Sequence, residues 1–596
     1  MRTSRLLTTS AGLAAALALA ACSNTTPATP SAAAGSSGSP AASSGSSGAA
    51  PIAGASSTET ASVSAFQGGH KGGDLKLLAT TAGGTIDPQI NYTLQYWQLY
   101  RAVYDGLMSF KAVAGQPSFE VTPDLATADP VVTNGGKTYT FTLRKGITFS
   151  NGHVLDTADV VASYQRIFKV SSPTAGSFYN GIIGATACLK TPKTCTLAGG
   201  VVADAAKNTI TINLTAPDPE FLFKVSVPHA AITPVGTPTT DAGTKPLPSS
   251  GPYMITAYNP GGNGQLVMKR NPHFVQWSAV AQPAGYPDTI TESFGQTVDN
   301  EVTQIENGQA DWLFDPPPTG RLNELGTKYA SQIHVNTLTA MYYLPMNVNI
   351  PPFNSLKARQ AVNWAIDRNA VVKLYGGTNL AAPVCTVLPP GFPGHVDSCL
   401  YTKGGGNTWS APDLAKAKQL VQQSGTAGQA VTVVVGNDPV GASIGEYVQS
   451  VLNSIGYKAK VQKLSGNIQF TYIQNTKNKV QISLSQWYQD YPAAADFLAV
   501  LFSCASFHPG SDSSVNIAGY CDKPNEALLA SALKTEQTLG LDAALPTWAK
   551  MDQHVMTDAV TAPLFTPKLV DLTAKRVGNY TFSKQFYLLL DQLWVK

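Results

Sequence analysis

Charge is scarce in this chain. Only 13% of its 596 residues are Asp, Glu, Lys or Arg, and 40 basic residues stand against 37 acidic ones for a formal net charge of +3. A near-neutral body without a basic run excludes the electrostatic footprint of a nucleic-acid binder. Histidine is scarcer still: the eight are scattered, with no H-E-x-x-H and no close pair, so no metal centre is expected. No C-x-x-C occurs, which removes zinc ribbons and dithiol redox motifs. Beyond residue 21 no apolar stretch reaches the ~20 residues that a membrane span needs. No self-similarity at a fixed period marks a repeat protein. Gly136-Lys137-Thr138 ends like a phosphate-binding loop, but Val131 stands where the first glycine belongs. The chain has no ATP site of its own, and no cofactor is expected.

What is present begins at the amino terminus. Arg2 and Arg5 precede an apolar run from Gly12 to Ala21, which closes on Leu19-Ala20-Ala21-Cys22. A basic start, a short apolar run and small residues at the cut make residues 1–21 a secretory signal. Leu-Ala-Ala-Cys also resembles a bacterial lipobox, in which Cys22 is lipidated and becomes the new N-terminus. Two or more acyl chains there would anchor the protein at the outer face of the cell membrane. The alternative is an ordinary secreted protein with cysteine at the cut. From Ser23 to His70 the chain is mostly Ala, Ser, Gly, Thr and Pro, with Glu59 its only formal charge. Such a composition buries too little to offset its ordering entropy, so residues 22–70 read as the lipidated cysteine and a flexible tether. The six other cysteines fit an oxidising exterior. They allow fifteen connectivities. Sequence neighbours are expected to pair, Cys188 with Cys195, Cys385 with Cys399 and Cys504 with Cys521, because their loops are short to close.

Residues 71–596 are enough for two or three packed units. Leu75–Thr80 reads as a strand and Tyr96–Tyr104 as a helix. Val131–Thr133 and Thr138–Leu143 flank Asn134-Gly135, a hairpin signal. Asp156 or Thr157 caps a helix that buries Val160, Val161, Tyr164 and Phe168. Thr209–Leu214 alternates as a half-buried strand. A strand entered at Tyr253 and its partner Gln265–Arg270 precede a short helix, Val298–Glu306. Lys357–Tyr375 and Ala411–Ser424 read as helices. Val431–Val435, a helix over Ile444–Ile455 and Lys458–Leu464 form a β-α-β unit. Strands and helices interleave throughout, so the class is α/β with more than one domain.

Two patterns bear on chemistry. Gly441-Ala442-Ser443-Ile444-Gly445 fits the G-x-S-x-G nucleophile elbow, but five residues separate it from the preceding strand. Ser443 and Glu446 instead read as a capping box, and a surface serine hydrolase using Ser443 is the rival function. The second pattern spans Ser485 to Phe497. Trp487, Tyr488 and Tyr491 surround Asp490 where a strand leaves its sheet, an edge at which α/β folds gather ligands. An aromatic wall with one carboxylate suits an organic cation. The alternative is that the aromatics are core and Asp490 caps a turn before Pro492.

An ordered set of motifs runs through the chain. Tyr104-Asp105-Gly106-Leu107 is followed by Thr122-Pro123-Asp124-Leu125-Ala126, Thr138–Phe149 with its Arg144-Lys145-Gly146 turn, Asn151-Gly152 and Asp159-Val160-Val161. Ser250-Gly251-Pro252-Tyr253, Lys269-Arg270-Asn271-Pro272 and Arg359–Arg368 come later. Together they resemble the extracytoplasmic solute-binding proteins of peptide/nickel-type ABC importers, the dipeptide- and oligopeptide-binding family. The resemblance implies a two-lobed, three-domain periplasmic-binding-protein-like fold with a hinge and an interlobe ligand cleft. Its parts map to 73–104 with 248–335 and 561–596 (lobe I), to 105–247 (inserted domain II) and to 336–560 (lobe III). It implies a non-enzymatic monomer that captures dipeptides or oligopeptides by lobe closure and hands them to a membrane permease with its ATPase. Asp490 matches the family aspartate that pairs with the peptide α-amino group. Tyr343, Asn347 and the loop around Tyr92 match segments near the cleft. The family's Tyr-Pro-Asp-Pro-Asp is here Tyr491-Pro492-Ala493-Ala494-Ala495-Asp496, a departure that leaves nickel–chelator complexes, oligosaccharides and other small solutes as alternatives.

Overall fold

Antiparallel and parallel sheets share the work in this protein, whose computed structural model describes residues 70–596 other than Ser513. The expected signal, Cys22 and all of the tether before His70 lie outside the described residues. No described helix is long and apolar enough to cross a membrane.

The first sheet takes the order Trp312–Leu313, Asp74–Ala79, Thr289–Phe294, Gln265–Arg270, Tyr253–Tyr258. Asp74–Ala79 is parallel to both of its neighbours, and the other pairings are antiparallel. Its inward side chains, among them Leu75, Leu77, Ile255, Met268 and Ile290, form one core with Tyr96 and Leu99 of the helix Leu94–Tyr100. That helix lies earlier than the periodicity suggests, because Thr93 accepts the Tyr96 N–H and so sets its start.

A second, wholly antiparallel sheet runs Val131–Thr133, Thr138–Thr142, Thr209–Asn213, Val201–Asp204. The hairpin expected at Asn134-Gly135 is present: both residues take positive φ, 54° and 63°, in the loop between Thr133 and its partner Thr138. The helix Thr157–Lys169 lies against this sheet. Asp156 caps it, and Asp159 returns a bond to the cap, so the helix starts on a reciprocal pair.

Residues Lys458–Leu464, Ala430–Gly436 and Ile482–Ser483 form a parallel sheet crossed by the helix Pro439–Ser454. This is the expected β-α-β unit with a longer helix. Asp438, not Ser443, caps it by accepting the Gly441 N–H, and Pro439 occupies the first turn, where a missing N–H costs nothing. Ser443 sits inside the helix and donates its hydroxyl back to the Pro439 carbonyl at 2.7 Å. It is neither a cap nor on a strand-to-helix elbow, and Glu446 pairs with Lys463 instead.

The twelve-residue strand Thr561–Leu572 organises a further sheet. It pairs antiparallel with Ile333–Thr337, with Ala340–Pro345 and with Ala381–Pro383, and Ser485–Tyr488 is added beyond Ala340–Pro345. The single helix expected over Lys357–Tyr375 is two, Leu356–Ala365 and Arg368–Tyr375, because Asp367 caps the second by accepting from Asn369 and Ala370. Asp413 likewise delays the next helix to Leu414–Gln423, leaving Pro412 outside it. The disulfides join Cys188 to Cys195, Cys385 to Cys399 and Cys504 to Cys521, as sequence proximity suggested.

One buried ion pair ties the helix Thr157–Lys169 to the loop after the first strand. Arg166 Nη1 donates to Asp87 Oδ1 at 2.9 Å and to Gln89 Oε1 at 2.8 Å, its Nη2 pairs with Asp87 Oδ2, and its Nε reaches the Pro238 carbonyl. Both side chains are shut off from solvent, so removing one charge strands the other. Arg166→Met is expected to lower unfolding stability by ~3–5 kcal/mol in urea titrations, against under ~1 kcal/mol for breaking the exposed Lys463–Glu446 pair.

Candidate functional site

The strand Ser485–Tyr488 is an edge strand, paired on one side with Ala340–Pro345 so that Trp487 faces Met341 and Tyr488 faces Ala340. Alternation along it divides the roles. Tyr488 turns towards Tyr342, hydroxyl to hydroxyl at 3.5 Å, whereas Trp487 leans on the core that contains Met341, Tyr343 and Phe497. Past the strand end the backbone is clamped. Gln489 N–H donates to the Thr339 carbonyl, and its side-chain amide donates to the Lys584 carbonyl and to Gln585 Oε1, each at 3.0 Å. Gln585 then donates to the Asp490 carbonyl at 2.9 Å, and the Asp490 N–H donates to Asp496 Oδ2 at 2.9 Å. The Asp490 backbone is thereby held at its N–H by nearby Asp496 and at its carbonyl by Gln585, 95 residues away.

Its carboxylate borders a cavity of about 530 Å³. Trp97, Phe586, Tyr375, Gln486 and Tyr488 line this space, with Phe470 of the helix Gly466–Gln474. Tyr92 remains 43% exposed although protein surrounds it, because its free face borders this cavity, between the rings of Trp97 and His229. Trp97 is fixed by donating its indole N–H to the Asn91 carbonyl at 2.9 Å. Trp312, another part of the wall, donates to Asp571 Oδ1 at 2.7 Å.

The electrostatics are those of an unmatched acid. Burial pushes the Asp490 carboxyl up to about 7, and hydrogen bonding with Tyr92 and Asp496 offsets only part of the rise. Asp496 is fully buried, and burial followed by the neighbouring Asp490 charge holds its pKa well above the usual carboxylate range. Both carboxyls of this buried pair are therefore held above the ordinary carboxylate range. Burial and then the charge of Asp490 also drive the Tyr92 hydroxyl well above its ordinary value, so it stays a donor. Among the described residues no cation pairs with Asp490. A buried carboxylate without a counter-charge favours an incoming cation.

The structure brings Asp490, Trp487, Tyr488 and Tyr92 to one cavity and takes the other expected residues elsewhere. Tyr491 faces the opposite way. Its ring stacks on Phe223 at 6.0 Å, and its hydroxyl donates to Glu220 Oε2 at 3.0 Å, in the bend that follows the strand. Tyr343 is 2% exposed in the core around Val387 and Leu388. Asn347 is structural: it donates to the Val480 carbonyl at 3.2 Å and accepts from the Asn349 N–H at 3.0 Å. Gln489, Gln585 and Phe470 were not legible as site residues; a glutamine beside the aspartate was the only signal available. Asp522, His554 and Asp558 form the one His/carboxylate group among the described residues compact enough for a metal, with ligand atoms within 4.8 Å. Its atoms are already used: Asp522 caps the helix Lys523–Leu539 and accepts from His554 at 3.0 Å, and Asp558 accepts from Tyr520.

Comparison with known proteins identifies the family. The dipeptide-binding protein DppE of Bacillus subtilis is 24% identical over 464 residues, covering 75% of this chain and 79% of that protein. The periplasmic oligopeptide-binding protein OppA of Escherichia coli is 24% identical over 518 residues, 83% of this chain and 88% of that one. Among solved structures, clavulanic acid biosynthesis oligopeptide binding protein 2 superposes with a TM-score of 0.79 at 22% identity, covering 88% of this chain and 96% of its own. The Escherichia coli murein tripeptide binding protein MppA gives 0.69 at 21% identity, over 88% and 99%. The sequence model of the bacterial extracellular solute-binding proteins, family 5 Middle, matches residues 120–508. The chain belongs to the family 5 bacterial extracellular solute-binding proteins.

Proposed function

We propose that this protein captures short peptides outside the cytoplasm and delivers them to an ABC permease driven by its own ATPase. The observation that carries this reading is Asp490: a buried carboxylate without a cation, on the wall of an aromatic cavity of about 530 Å³. A peptide α-ammonium supplies the missing charge. Tyr92, Trp97 and Tyr488 pack against the first residues of the ligand, and the Gln486 amide and Gln489 Oε1 are at hand for backbone hydrogen bonds. Relatives named for dipeptide, oligopeptide and glutathione binding support the ligand class. Lobe I (73–104, 248–335 and 561–596) and lobe III (336–560) close on the ligand with domain II (105–247) attached, and contacts to both lobes favour the closed state. The signal at residues 1–21, lipidation of Cys22 and the tether to residue 70 hold the monomer at the outer face of the membrane. The family is one of solute-binding proteins, and the chemistry asked of the site is binding alone.

Native mass spectrometry of gently purified protein tests the ligand class. A ladder of short-peptide masses, lost on mild denaturation, is the expected spectrum; a single non-peptide mass would move the function to another solute. Asp490→Ala leaves a buried ligand ammonium unpaired, and calorimetry should show binding weakened by ~2–5 kcal/mol. Unchanged affinity would remove Asp490 from the site.

Binding should also release a proton. In the empty protein the raised pKa makes Asp490 a contributor to stability below the ordinary aspartate value of ~3.9, a contribution lost as pH rises to about 7. A bound ammonium favours the ionised form and pulls that pKa down. Peptide affinity is therefore expected to fall by ~tenfold per pH unit below about 7 and to level off above it. Titrations at pH 6 in buffers of different ionisation enthalpy should register about one proton released per peptide. A pH-independent affinity between 5 and 8 would contradict an ammonium–Asp490 pair.

A further inference from the structure

The ligand cavity does not end at Gln486. Beyond Tyr375, Phe470 and Gln486, which line both spaces, lies a second chamber of about 390 Å³. It sits where the strand Ala430–Gly436 ends and the helix Pro439–Ser454 begins, a position at which parallel sheets leave room for ligands. Its lining contains one acidic side chain, Asp438, and no lysine, arginine or histidine.

Two acceptor oxygens in this chamber, one of them on the exposed Asp438, receive no hydrogen bond from a described residue. Asp438 uses Oδ1 to accept the Gly441 N–H at 2.8 Å, and its Oδ2 receives no hydrogen bond from any described residue. Gln469 donates through Nε2 to the Leu484 carbonyl at 2.8 Å, which orients the amide and leaves Oε1 without a donor. Both free oxygens converge over Gly436, where a Cβ would stand 2.5 Å from Asp438 Oδ2 and 3.1 Å from Gln469 Oε1. Glycine at the strand end is what keeps this nook open. Tyr342 and Tyr375, with ring centroids 5.4 Å apart, and Phe470 supply apolar walls on the way in. The chamber therefore offers an aromatic-walled passage that ends on an exposed carboxylate and a half-buried amide oxygen, the complement of a methylene stem with a cationic tip.

We infer that this side chamber receives a basic side chain, lysine or arginine, of the bound peptide, its charged end entering between Asp438 Oδ2 and Gln469 Oε1. The inference rests on the peptide reading above and adds selection by charge at one side-chain position. A neutral aliphatic chain fills the passage but gives the two oxygens no donor, and a glutamate side chain meets Asp438 with like charge.

Calorimetry with four-residue alanine peptides carrying lysine, norleucine or glutamate at the second or third position tests it. At one of these positions lysine is expected to bind about five- to tenfold tighter than norleucine, as a partly solvated ion pair allows, with glutamate weakest. Asp438→Asn keeps the capping oxygen for Gly441 and should abolish the lysine preference while leaving the affinity of tetra-alanine unchanged. Gly436→Ala, which fills the nook without touching the cap's charge, should do the same. Equal affinity of lysine and norleucine peptides at both positions, or a preference that survives both variants, overturns the inference while peptide binding stands. Failure of every peptide to bind, tetra-alanine included, overturns the peptide reading and this inference with it.

Discussion

A carboxylate buried without a counter-charge is the constraint around which this site is arranged. Keeping Asp490 out of water costs free energy unless its surroundings are fixed, and they are fixed by backbone bonds: its N–H to Asp496 and its carbonyl to Gln585. The cost appears as a carboxyl pKa of about 7 rather than as a protein cation placed beside it. Leaving the acid unmatched fits the proposed capture and release of a ligand amine. A resident lysine or arginine would compete with the ligand.

The same loop divides two environments within one residue. Asp490 faces the cavity, and Tyr491 faces Phe223, Phe178 and Glu220. Segments some 270 residues apart are thus joined directly beside the ligand-facing acid. The clamp from Gln585 and Gln489 adds a third segment. Rigid placement of one carboxylate therefore draws on three regions of the chain, which is why the sheet built on Thr561–Leu572 matters: its strands set the spacing between them.

Much of the local structure was legible. The Asn134-Gly135 hairpin, the helix Val298–Glu306, the strand Gln265–Arg270 and the β-α-β unit after Ala430 follow from turn residues and hydrophobic period, which act over a few residues. The displaced helix starts share one cause. Thr93, Asp367, Asp413 and Asp438 are caps whose side chains bond the first N–H groups, and each moved or split a helix that periodicity alone had placed elsewhere. Of the aromatic cluster around Asp490, the motif led to Trp487 and Tyr488 at the cavity but could not tell that Tyr491 points away.

The sequence by itself determined the class of the protein: interleaved strands and helices, sequence-neighbour disulfides, and an aspartate in an aromatic setting at the end of a strand. These depend on patterns within short windows. Only the tertiary structure decided which carboxylate loses its water, that Tyr92 and Gln585 reach it from opposite ends of the chain, and that Asp438 Oδ2 and Gln469 Oε1 meet over Gly436 with no donor from a described residue. Desolvation and hydrogen-bond satisfaction are set by the neighbours in space, and in this fold those neighbours are separated by tens to hundreds of residues of chain.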